Sequence, residues 1–257
     1  MNPDNKTKSD IADKIENKNT KHIVLASGSP RRREILTMLG VKFDVIVADV
    51  DESTDGMDST KPGDIVGELS RRKALAVYDR IKRAENGTGA GAGAGSGEDS
   101  GENGGTNFEA NFEAKGEENI GTNVKETVII AADTIVYCDG RIFGKPHSHA
   151  EAAEMLSCYS GKTHAVVSGV TVLRFGADGS SEPTVITAHE VTEVDFKEMS
   201  VGEIERYVST AEPYDKAGAY AVQGLAALYI KGIRGEYYNV VGLPVSLLYD
   251  IARDIFE

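Results

Sequence analysis

Cysteine is scarce in this sequence, and long apolar runs are missing altogether. The two cysteines, Cys138 and Cys158, match neither a metal-ligand spacing nor a disulfide framework. We therefore interpret them as reduced, structural thiols of a cytosolic protein. No run reaches the roughly 18 apolar residues that a membrane helix needs, and the N-terminus lacks the apolar core of a signal peptide. These absences predict a soluble, unexported protein of the cytoplasm that has no membrane partner.

Positive charge is also in short supply. Lysine and arginine together number 28, against 41 aspartates and glutamates, which gives a formal net charge of -13. A nucleic-acid-binding surface needs a broad basic footprint to replace condensed counterions, so this balance excludes nucleic acid as an expected partner. A small anionic substrate fits the composition only if the few cations gather in one cleft. Local clusters of arginine and lysine are therefore informative here.

Two segments contain too few apolar residues to contribute to a core. Residues 1–20 are rich in lysine, aspartate and asparagine, and residues from about 85 to 125 are mainly glycine, alanine, serine, glutamate and asparagine. Such compositions cannot compensate the entropy that is lost on ordering. We predict a disordered tail over 1–20 and a single domain over 21–257, which the low-complexity insertion at about 85–125 interrupts.

The rest of the sequence alternates between strand and helix patterns. Apolar and β-branched runs predict strands over 22–26, 41–47, 127–137, 141–143, 163–173, 184–196, 226–230 and 237–241. Helices are predicted over 29–39, 64–80 and 244–256, and two more begin at the capping residues Ser148 and Ser200. Because several neighbouring strands are joined by hairpins, we expect an α/β fold in which helices cover a mixed, twisted sheet.

Arginines cluster at the first predicted strand-to-helix junction, in the run Ser27-Gly28-Ser29-Pro30-Arg31-Arg32-Arg33. Free backbone N–H groups and the positive end of the helix dipole favour an anion at such a junction. The glycine lets a phosphate approach the backbone, while hydroxyl and guanidinium groups supply donors. A capped surface helix with a solvated basic turn is the alternative. Since basic residues at a helix start oppose the dipole unless an anion lies between them, we predict a phosphate site.

One acid lies inside an apolar strand. Asp133, followed by Thr134, interrupts the apolar run 128–136. A carboxylate in that position must lose water, which is tolerated only beside a cation, a metal or strong donors. A strand end turned toward solvent is the alternative, but apolar residues continue on both sides. We therefore predict a buried or cleft-facing acid that can position a divalent ion or deprotonate a water.

Three further charged residues are weaker candidates on their own. Lys73 lies on the edge of the apolar stripe of the predicted helix 64–80. This position suits a functional lysine and equally a lysine whose stem covers the apolar surface while its charge reaches solvent. Lys145 lies in the loop Gly144-Lys145-Pro146, and Glu52 follows Asp51. Glu52 could add a carboxylate to a metal site, although acidic pairs in loops are usually just solvated.

These residues are part of a longer series of motifs. In chain order the series is Leu25-Ala26-Ser27-Gly28-Ser29-Pro30-Arg31-Arg32, Asp51-Glu52, Lys73-Ala74, Ala132-Asp133-Thr134, Gly144-Lys145-Pro146, Ser160-Gly161 with His164, Glu212-Pro213-Tyr214-Asp215-Lys216-Ala217-Gly218-Ala219-Tyr220 with Gln223-Gly224, and Asn239-Val240-Val241-Gly242-Leu243-Pro244. It resembles the Maf family of nucleoside triphosphate pyrophosphatases. The resemblance covers nearly all of the chain from His22 onward, apart from the insertion.

The resemblance implies a Maf/ITPase-like fold with two lobes around a cleft. It also implies a divalent cofactor, Mg²⁺ or Mn²⁺, and cleavage of a nucleoside triphosphate into a monophosphate and pyrophosphate. The motif from Asp215 to Tyr220 with Gln223-Gly224 is similar to the dTTP/UTP branch, and the expected assembly is a homodimer. Two alternatives stay open: the same reaction on 7-methyl-GTP or a damaged purine nucleotide, and a non-catalytic nucleotide-binding regulator of cell division.

Individual roles follow from matching positions in the family's motifs. Asp133 resembles the family's proton acceptor, with Lys73 and Lys145 beside it in the catalytic set. Glu52 and Asp133 match the metal-side carboxylates. The positions that match substrate-binding residues are Ser27, Arg31, Arg32, Thr134 and Gln223. The sequence departs from the family pattern at Ala221 and Ala226, where small glycines are common, at Glu236, where a serine is usual, and at Ser148, where an aspartate often stands.

Overall fold

The computed structural model of the chain describes residues 21–87, 126–176 and 182–257. The strands in these ranges are β1 (Lys21–Leu25), β2 (Asp44–Val45), β3 (Glu126–Cys138), β4 (Arg141–Phe143), β5 (Thr163–Gly176), β6 (Thr184–Phe196) and β7 (Ile230–Arg234). The α-helices are α1 (Pro30–Met38), α2 (Pro62–Gly87), α3 (His149–Tyr159), α4 (Val201–Val208), α5 (Tyr237–Val241) and α6 (Val245–Ala252). Short 3₁₀ helices lie at Glu212–Asp215, Ala217–Ala219, Leu225–Leu228 and Arg253–Ile255.

The strands form one mixed sheet. Its order is β2-β1-β3-β5-β6-β7, and β4 pairs with β3 outside this path. β1 is parallel to both β2 and β3, whereas the other pairs are antiparallel. Parallel neighbours need a long crossover, which α1 and α2 provide between β1 and β3. The predicted α/β class with a mixed sheet is therefore confirmed.

The central strand β3 faces a different helix on each side. Ile130 packs in a core cluster with residues of α1 and α6, while Ala131 packs in a cluster with residues of α2. Successive side chains of a strand point to opposite faces of the sheet. Asp133 therefore lies on the α2 side, and Thr134 lies on the α1 side. The two-residue period of this strand thus decides which helix can contact each of these polar side chains.

A glycine lets α2 lie close against the sheet. Gly169 of β5 pairs with Asp133 of β3, and a Cβ atom at position 169 would lie only 2.2 Å from the carbonyl oxygen of Val66 in α2. Any side chain at Gly169 would push the helix away. Lys73 follows Val66 by about two helical turns. The close approach at Gly169 therefore helps to bring Lys73 to Asp133.

The strand predicted over 226–230 is wrong in position. Most of this segment belongs to the 3₁₀ helix Leu225–Leu228, and β7 begins only at Ile230. The carboxylate of Glu212 accepts the backbone N–H groups of Leu225 at 2.8 Å and Ala226 at 3.3 Å. These bonds satisfy the free donors at the start of the turn, so the segment forms a helical turn instead of a strand.

The strand predicted over 237–241 is also wrong, because this segment is the helix α5. Its tyrosines and valines favour a strand by local propensity alone. Asn239 is fully buried, and its side-chain amide donates to the carbonyl oxygen of Val166 and to the hydroxyl of Thr192, each at 3.0 Å. Tertiary hydrogen bonds and burial thus override the propensity of a short segment.

The limits of the predicted domain are only partly described. The predicted tail over 1–20 and residues 88–125 of the predicted insertion lie outside the described residues. α2 continues to Gly87, so the first residues of the predicted insertion, 85–87, are helical. Within the three described ranges, no helix has the length and apolar content that crossing a membrane would require.

Candidate active site

A cleft of about 1020 Å³ opens beside the middle of β3. β1 ends at Leu25, whose partner is Ile130, while β4 pairs with β3 only from Val136 onward. Asp133, Thr134 and Ile135 lie between these two paired segments and line the cleft. The cleft is located beyond the carboxyl end of β1, where α1 begins. Open α/β sheets commonly bind ligands in such a position.

All nine site residues predicted from the sequence line this cleft. They come from the loop between β1 and α1, from α1, from the loop after β2, from α2, from β3, from the loop after β4 and from the segment before Leu225–Leu228. The nine are Ser27, Arg31, Arg32, Glu52, Lys73, Asp133, Thr134, Lys145 and Gln223. The structure thus brings together side chains that are far apart in the sequence.

Lys73 lies between two carboxylates. Its ammonium group donates to Asp133 Oδ1 and lies 2.7 Å from Glu52 Oε1. Lys73 and Asp133 are buried, with 7% and 9% of their surface exposed, whereas Glu52 is exposed. Of the two interpretations left open by the sequence, the structure therefore favours a lysine that faces the cleft over one that reaches solvent.

The surrounding cations control the charge of Glu52. Burial on its own would raise the pKa of Glu52. The hydrogen bond and charge of Lys73, together with the charges of Lys145 and Arg32, outweigh burial and leave the pKa below the usual value for a glutamate. Glu52 is therefore ionised at neutral pH. Lys145 itself is exposed at the rim of the cleft.

Arg32 connects three segments of the site. Its Nε donates to the carbonyl oxygen of Gly242 at 2.8 Å, and its two terminal nitrogens donate to Ser27 Oγ and Thr134 Oγ1, each at 3.1 Å. The hydroxyl of Thr134 also lies 2.9 Å from that of Ser168. Burial lowers the pKa of Arg32, while the Asp133 carboxylate acts in the opposite direction. The forked guanidinium group therefore occupies a defined orientation at the floor of the cleft.

The start of α1 faces the cleft. Pro30 is the first helical residue, and Ser29 has the extended conformation of a capping residue. The side chain of Ser29, however, makes no capping hydrogen bond, although serine is a favoured capping residue. The backbone N–H of Ser29 donates to Ser27 Oγ at 3.2 Å. A helix start whose cap is not provided by its own serine is suited to bind an anion.

Two charged residues that line the cleft were not among the site residues predicted from the sequence. Asp215 and Lys216 line the cleft, and Asp215 receives hydrogen bonds from both Arg31 and Lys216. The Arg31 Nη1 to Asp215 Oδ2 distance is 3.2 Å. Both residues lie in a motif that carries the family resemblance, so their position was a usable signal. A phosphate that binds Arg31 has to compete with the exposed Asp215 carboxylate.

The segment that carries Gln223 is held by Glu212. Besides the two backbone N–H groups at the start of Leu225–Leu228, the Glu212 carboxylate accepts the hydroxyl of Tyr207 at 2.8 Å. Gly224 leaves room for this carboxylate, because a Cβ at position 224 would lie 2.5 Å from its oxygens. Gln223 is exposed and lines the cleft. Glu212 thus determines where Gln223 projects without itself lining the cleft.

The charges of the cleft balance one another. Its cations are Arg31, Arg32, Lys73, Lys145 and Lys216. Its acids are Glu34, Glu52, Asp55, Asp133 and Asp215. The chain as a whole has a net charge of -13. The cleft has more cationic side chains than that average would suggest, but they only equal its acidic side chains in number. A highly anionic ligand would therefore bind more strongly if it brought a compensating cation with it.

Of the four departures from the family pattern, Ala221 lines the cleft, whereas Ala226, Ser148 and Glu236 do not. Ser148 accepts the backbone N–H of Glu151 at 3.1 Å and so caps α3 as an aspartate would. Glu236 accepts the backbone N–H of Ser246 at 2.9 Å and lines a separate, shallow apolar groove.

Comparisons with known proteins show which proteins the chain resembles over most of its length. A family model described as "Maf-like protein" matches residues 22–255. The chain is 40% identical over 231 residues to a dTTP/UTP pyrophosphatase of Desulforamulus reducens, which covers 90% of this chain and 95% of that protein. It is 37% identical over 233 residues to a dTTP/UTP pyrophosphatase of Bacillus cereus, with 91% and 89% covered. A Bacillus anthracis protein with the same description is 38% identical over 226 residues.

Proposed function

Because the chain belongs to the Maf family, we propose that it is a nucleotide pyrophosphatase that hydrolyses dTTP and UTP to the monophosphate and pyrophosphate. The observation that carries this proposal is the position of Lys73 between Glu52 and Asp133, in a cleft that faces the start of α1. The cleft thus combines acidic groups for metal binding and proton transfer with cationic groups for phosphate binding.

The cationic side of the cleft would bind the triphosphate. The α1 start supplies backbone donors and the hydroxyl of Ser29, and Arg31, Arg32 and Lys145 supply positive charge. When phosphate oxygens bind Arg31, they replace its contact with Asp215. These groups hold the polyphosphate chain in one orientation and stabilise the charge that develops on the departing pyrophosphate.

Asp133 is the proposed proton acceptor. Its carboxylate is buried, borders the cleft and is oriented by the hydrogen bond from Lys73. A water molecule aligned with the anhydride bond between the α- and β-phosphates transfers its proton to Asp133 as its oxygen attacks phosphorus. The anhydride bond breaks, pyrophosphate departs, and the nucleoside monophosphate is the second product.

A divalent metal fits the side chains of the cleft. Oxygens of Glu52 and Asp133 both lie within hydrogen-bonding distance of the Lys73 nitrogen, so they are close to each other. Mg²⁺ typically binds one or two carboxylates and completes its shell with water and substrate phosphates. We propose that Glu52 and Asp133 hold Mg²⁺ or Mn²⁺. The ion would supply the positive charge that the balanced cleft lacks for a triphosphate.

Base selection is assigned to Thr134, Gln223 and Arg32. Gln223 is exposed on a segment that Glu212 holds in place, so its amide can form hydrogen bonds with a base. Arg32 fixes the hydroxyl of Thr134 at the floor of the cleft. Polar groups with a fixed orientation discriminate between bases because the wrong base leaves them unpaired.

A nucleotide panel tests the proposal. The full chain is incubated with dTTP, UTP, 7-methyl-GTP, oxidised purine nucleotides and the standard purine nucleotides, with and without Mg²⁺ or Mn²⁺, and products are separated by chromatography. We expect monophosphate and pyrophosphate from dTTP and UTP, and only when metal is present. Release of free phosphate would indicate cleavage of a different bond. Tight nucleotide binding without any product would support the non-catalytic alternative instead.

A further inference from the structure

A second group of metal-ligating side chains lies at the far end of β3. Cys138 is the last residue of this strand, Asp139 follows it in the turn to β4, and Cys158 is the penultimate residue of α3. One ligand atom from each, the two sulfurs and a carboxylate oxygen, all lie within 4.8 Å of one another. Cys138 is five residues beyond Asp133, or about 16 Å along an extended strand. This group is therefore separate from the cleft.

Tertiary packing brings the two cysteines together. They are 20 positions apart in the sequence, which is no recognised ligand spacing. Cys138 belongs to the core cluster that α3 packs against, and Cys158 is packed at the edge of the same cluster. The Cys138 thiol lies 3.5 Å from the Cys158 carbonyl oxygen. Both thiols are free, as predicted, but the sequence spacing did not indicate that they are neighbours.

We propose that Cys138, Cys158 and Asp139 form a binding site for Zn²⁺ that is independent of the cleft. Zinc prefers thiolate ligands at about 2.3 Å and carboxylate oxygens at about 2.1 Å, in tetrahedral geometry. Ligand atoms around one such ion lie about 3.5 to 3.8 Å apart. Atoms that are already within 4.8 Å need only small side-chain adjustments to reach this spacing.

The surroundings of the site suit a partly open zinc centre. Cys138 is only 2% exposed, Cys158 is half-buried and Asp139 is exposed, so the ion would be bound at the protein surface. Water can occupy the fourth position there. Lys162 Nζ lies 2.6 Å from Asp139 Oδ2. Two thiolates and one carboxylate carry three negative charges, which Zn²⁺ and Lys162 together neutralise.

The test uses Cd²⁺ as a spectroscopic probe for the thiolate ligands. The full chain, reduced and freed of metal, is titrated with Cd²⁺ alone while the ultraviolet charge-transfer absorption of cadmium thiolates is recorded. We expect a band that saturates at one ion per chain, and a rise in Tm on addition of Zn²⁺ because ligands that bind only the folded state stabilise it. Cys158→Ser and Cys138→Ser should each lose most of the band, and Asp139→Asn should keep the band but bind more weakly.

Two controls make the outcome decisive. Glu52→Gln removes a carboxylate of the cleft and should leave the cadmium band unchanged, which separates this site from the proposed catalytic metal. Cys158 is less buried than Cys138, so Cys158→Ser keeps the test valid if Cys138→Ser fails to fold. The proposal is overturned if excess Cd²⁺ produces no thiolate band, or if the band survives in Cys158→Ser. It is also overturned if mass spectrometry of the purified chain finds a Cys138–Cys158 disulfide.

Discussion

The guanidinium group of Arg32 donates a hydrogen bond to the hydroxyl of Thr134 over 3.1 Å, although 102 positions separate the two residues. Arg32 comes from α1 and Thr134 from the central strand. The same guanidinium group binds the carbonyl oxygen of Gly242 in the segment before α6. One side chain thus joins three segments around the cleft, and its planar geometry determines where the Thr134 hydroxyl points.

Replacing Arg32 by lysine should impair catalysis more than folding. Lysine keeps the charge but cannot form the three hydrogen bonds in their forked geometry. Loss of one or two charged hydrogen bonds, at about 1.5 to 3 kcal/mol in total, corresponds to a decrease in kcat/KM of about tenfold to hundredfold. Steady-state kinetics with dTTP and UTP measure this change. Arg33→Lys, on the same helix but outside the cleft, is the matched control and should retain normal kcat/KM.

Asp133→Asn should leave a folded protein with little turnover. The amide can still accept a hydrogen bond from Lys73, but it cannot take a proton from water. Loss of a general base lowers kcat by about a hundredfold to ten-thousandfold. Pyrophosphate release gives kcat, and circular dichroism verifies the fold. Asp49→Asn, at an exposed acid outside the cleft, should behave like the original chain. Normal turnover in Asp133→Asn would contradict the assigned role.

Glu212→Ala should weaken nucleotide binding without removing any group from the cleft. It eliminates the acceptor for Tyr207 and for the backbone N–H groups of Leu225 and Ala226, so the position of Gln223 is no longer defined. We expect a rise in KM that is larger than the fall in kcat, and partial rescue by Glu212→Gln, which keeps one acceptor oxygen. Glu205→Ala, which removes only an exposed contact to His149, is the control. If Glu212→Ala and Glu205→Ala changed kcat and KM to the same extent, this positioning role would be contradicted.

Gly169→Ala should destabilise the fold. The new methyl group would lie 2.2 Å from the carbonyl oxygen of Val66, so α2 has to move away from β5. Overpacking of this kind costs about 1 to 3 kcal/mol in the free energy of unfolding, which urea denaturation measures. Activity should fall too, since α2 carries Lys73. In contrast, Gly202→Ala in α4 meets no atom within 4 Å and should be neutral or slightly stabilising.

His164 should make stability depend on pH in the mildly acidic range. Burial lowers the pKa of His164 to about 4, against the opposite influence of Asp195. The unfolded chain, in which a histidine titrates near pH 6.5, binds more protons than the folded chain between about pH 4 and 6.5. The contribution of neutral His164 to the free energy of unfolding is therefore fully present above about pH 6.5. About 3 kcal/mol of this free energy is lost as the pH falls to about 4.

Urea denaturation across this pH range tests the role of His164. In the original chain, the Tyr220 hydroxyl lies 2.7 Å from His164 Nε2. His164→Gln lacks the titrating ring, but its amide can still form a hydrogen bond with Tyr220. The pH dependence of its unfolding free energy should be flatter between pH 4 and 6.5. His147→Gln, at an exposed histidine, should keep the slope of the original chain. Identical slopes for His164→Gln and the original chain would assign the acid sensitivity to other groups.

Local patterns predicted the elements that are long and regular. The run 127–137 predicted most of β3, and the two runs 163–173 and 184–196 predicted the antiparallel pair β5 and β6. The capping pair at Ser200 predicted the start of α4, where the structure has a complete capping box. Such features depend on neighbours within one strand or one helical turn. The sequence pattern therefore contains the information that defines them.

Short segments could not be predicted in the same way. The strand predicted over 41–47 is reduced to the two residues of β2, and the runs 226–230 and 237–241 contain helical turns. Their conformations depend on partners that are remote in the sequence, such as the Glu212 carboxylate and the Val166 carbonyl oxygen. Local propensity is too weak to oppose such contacts.

By itself, the sequence determined the polar and charged residue types, their places on strands and helices, and the family motifs that single out Asp133, Arg32 and Gln223. Only the tertiary structure decided that Lys73 lies between Glu52 and Asp133, and that Cys138 and Cys158 lie together. The physical reason is that period and spacing act along the chain, whereas ion pairs and ligand clusters depend on distances in space. Those distances are set by how α2 and α3 pack on the sheet.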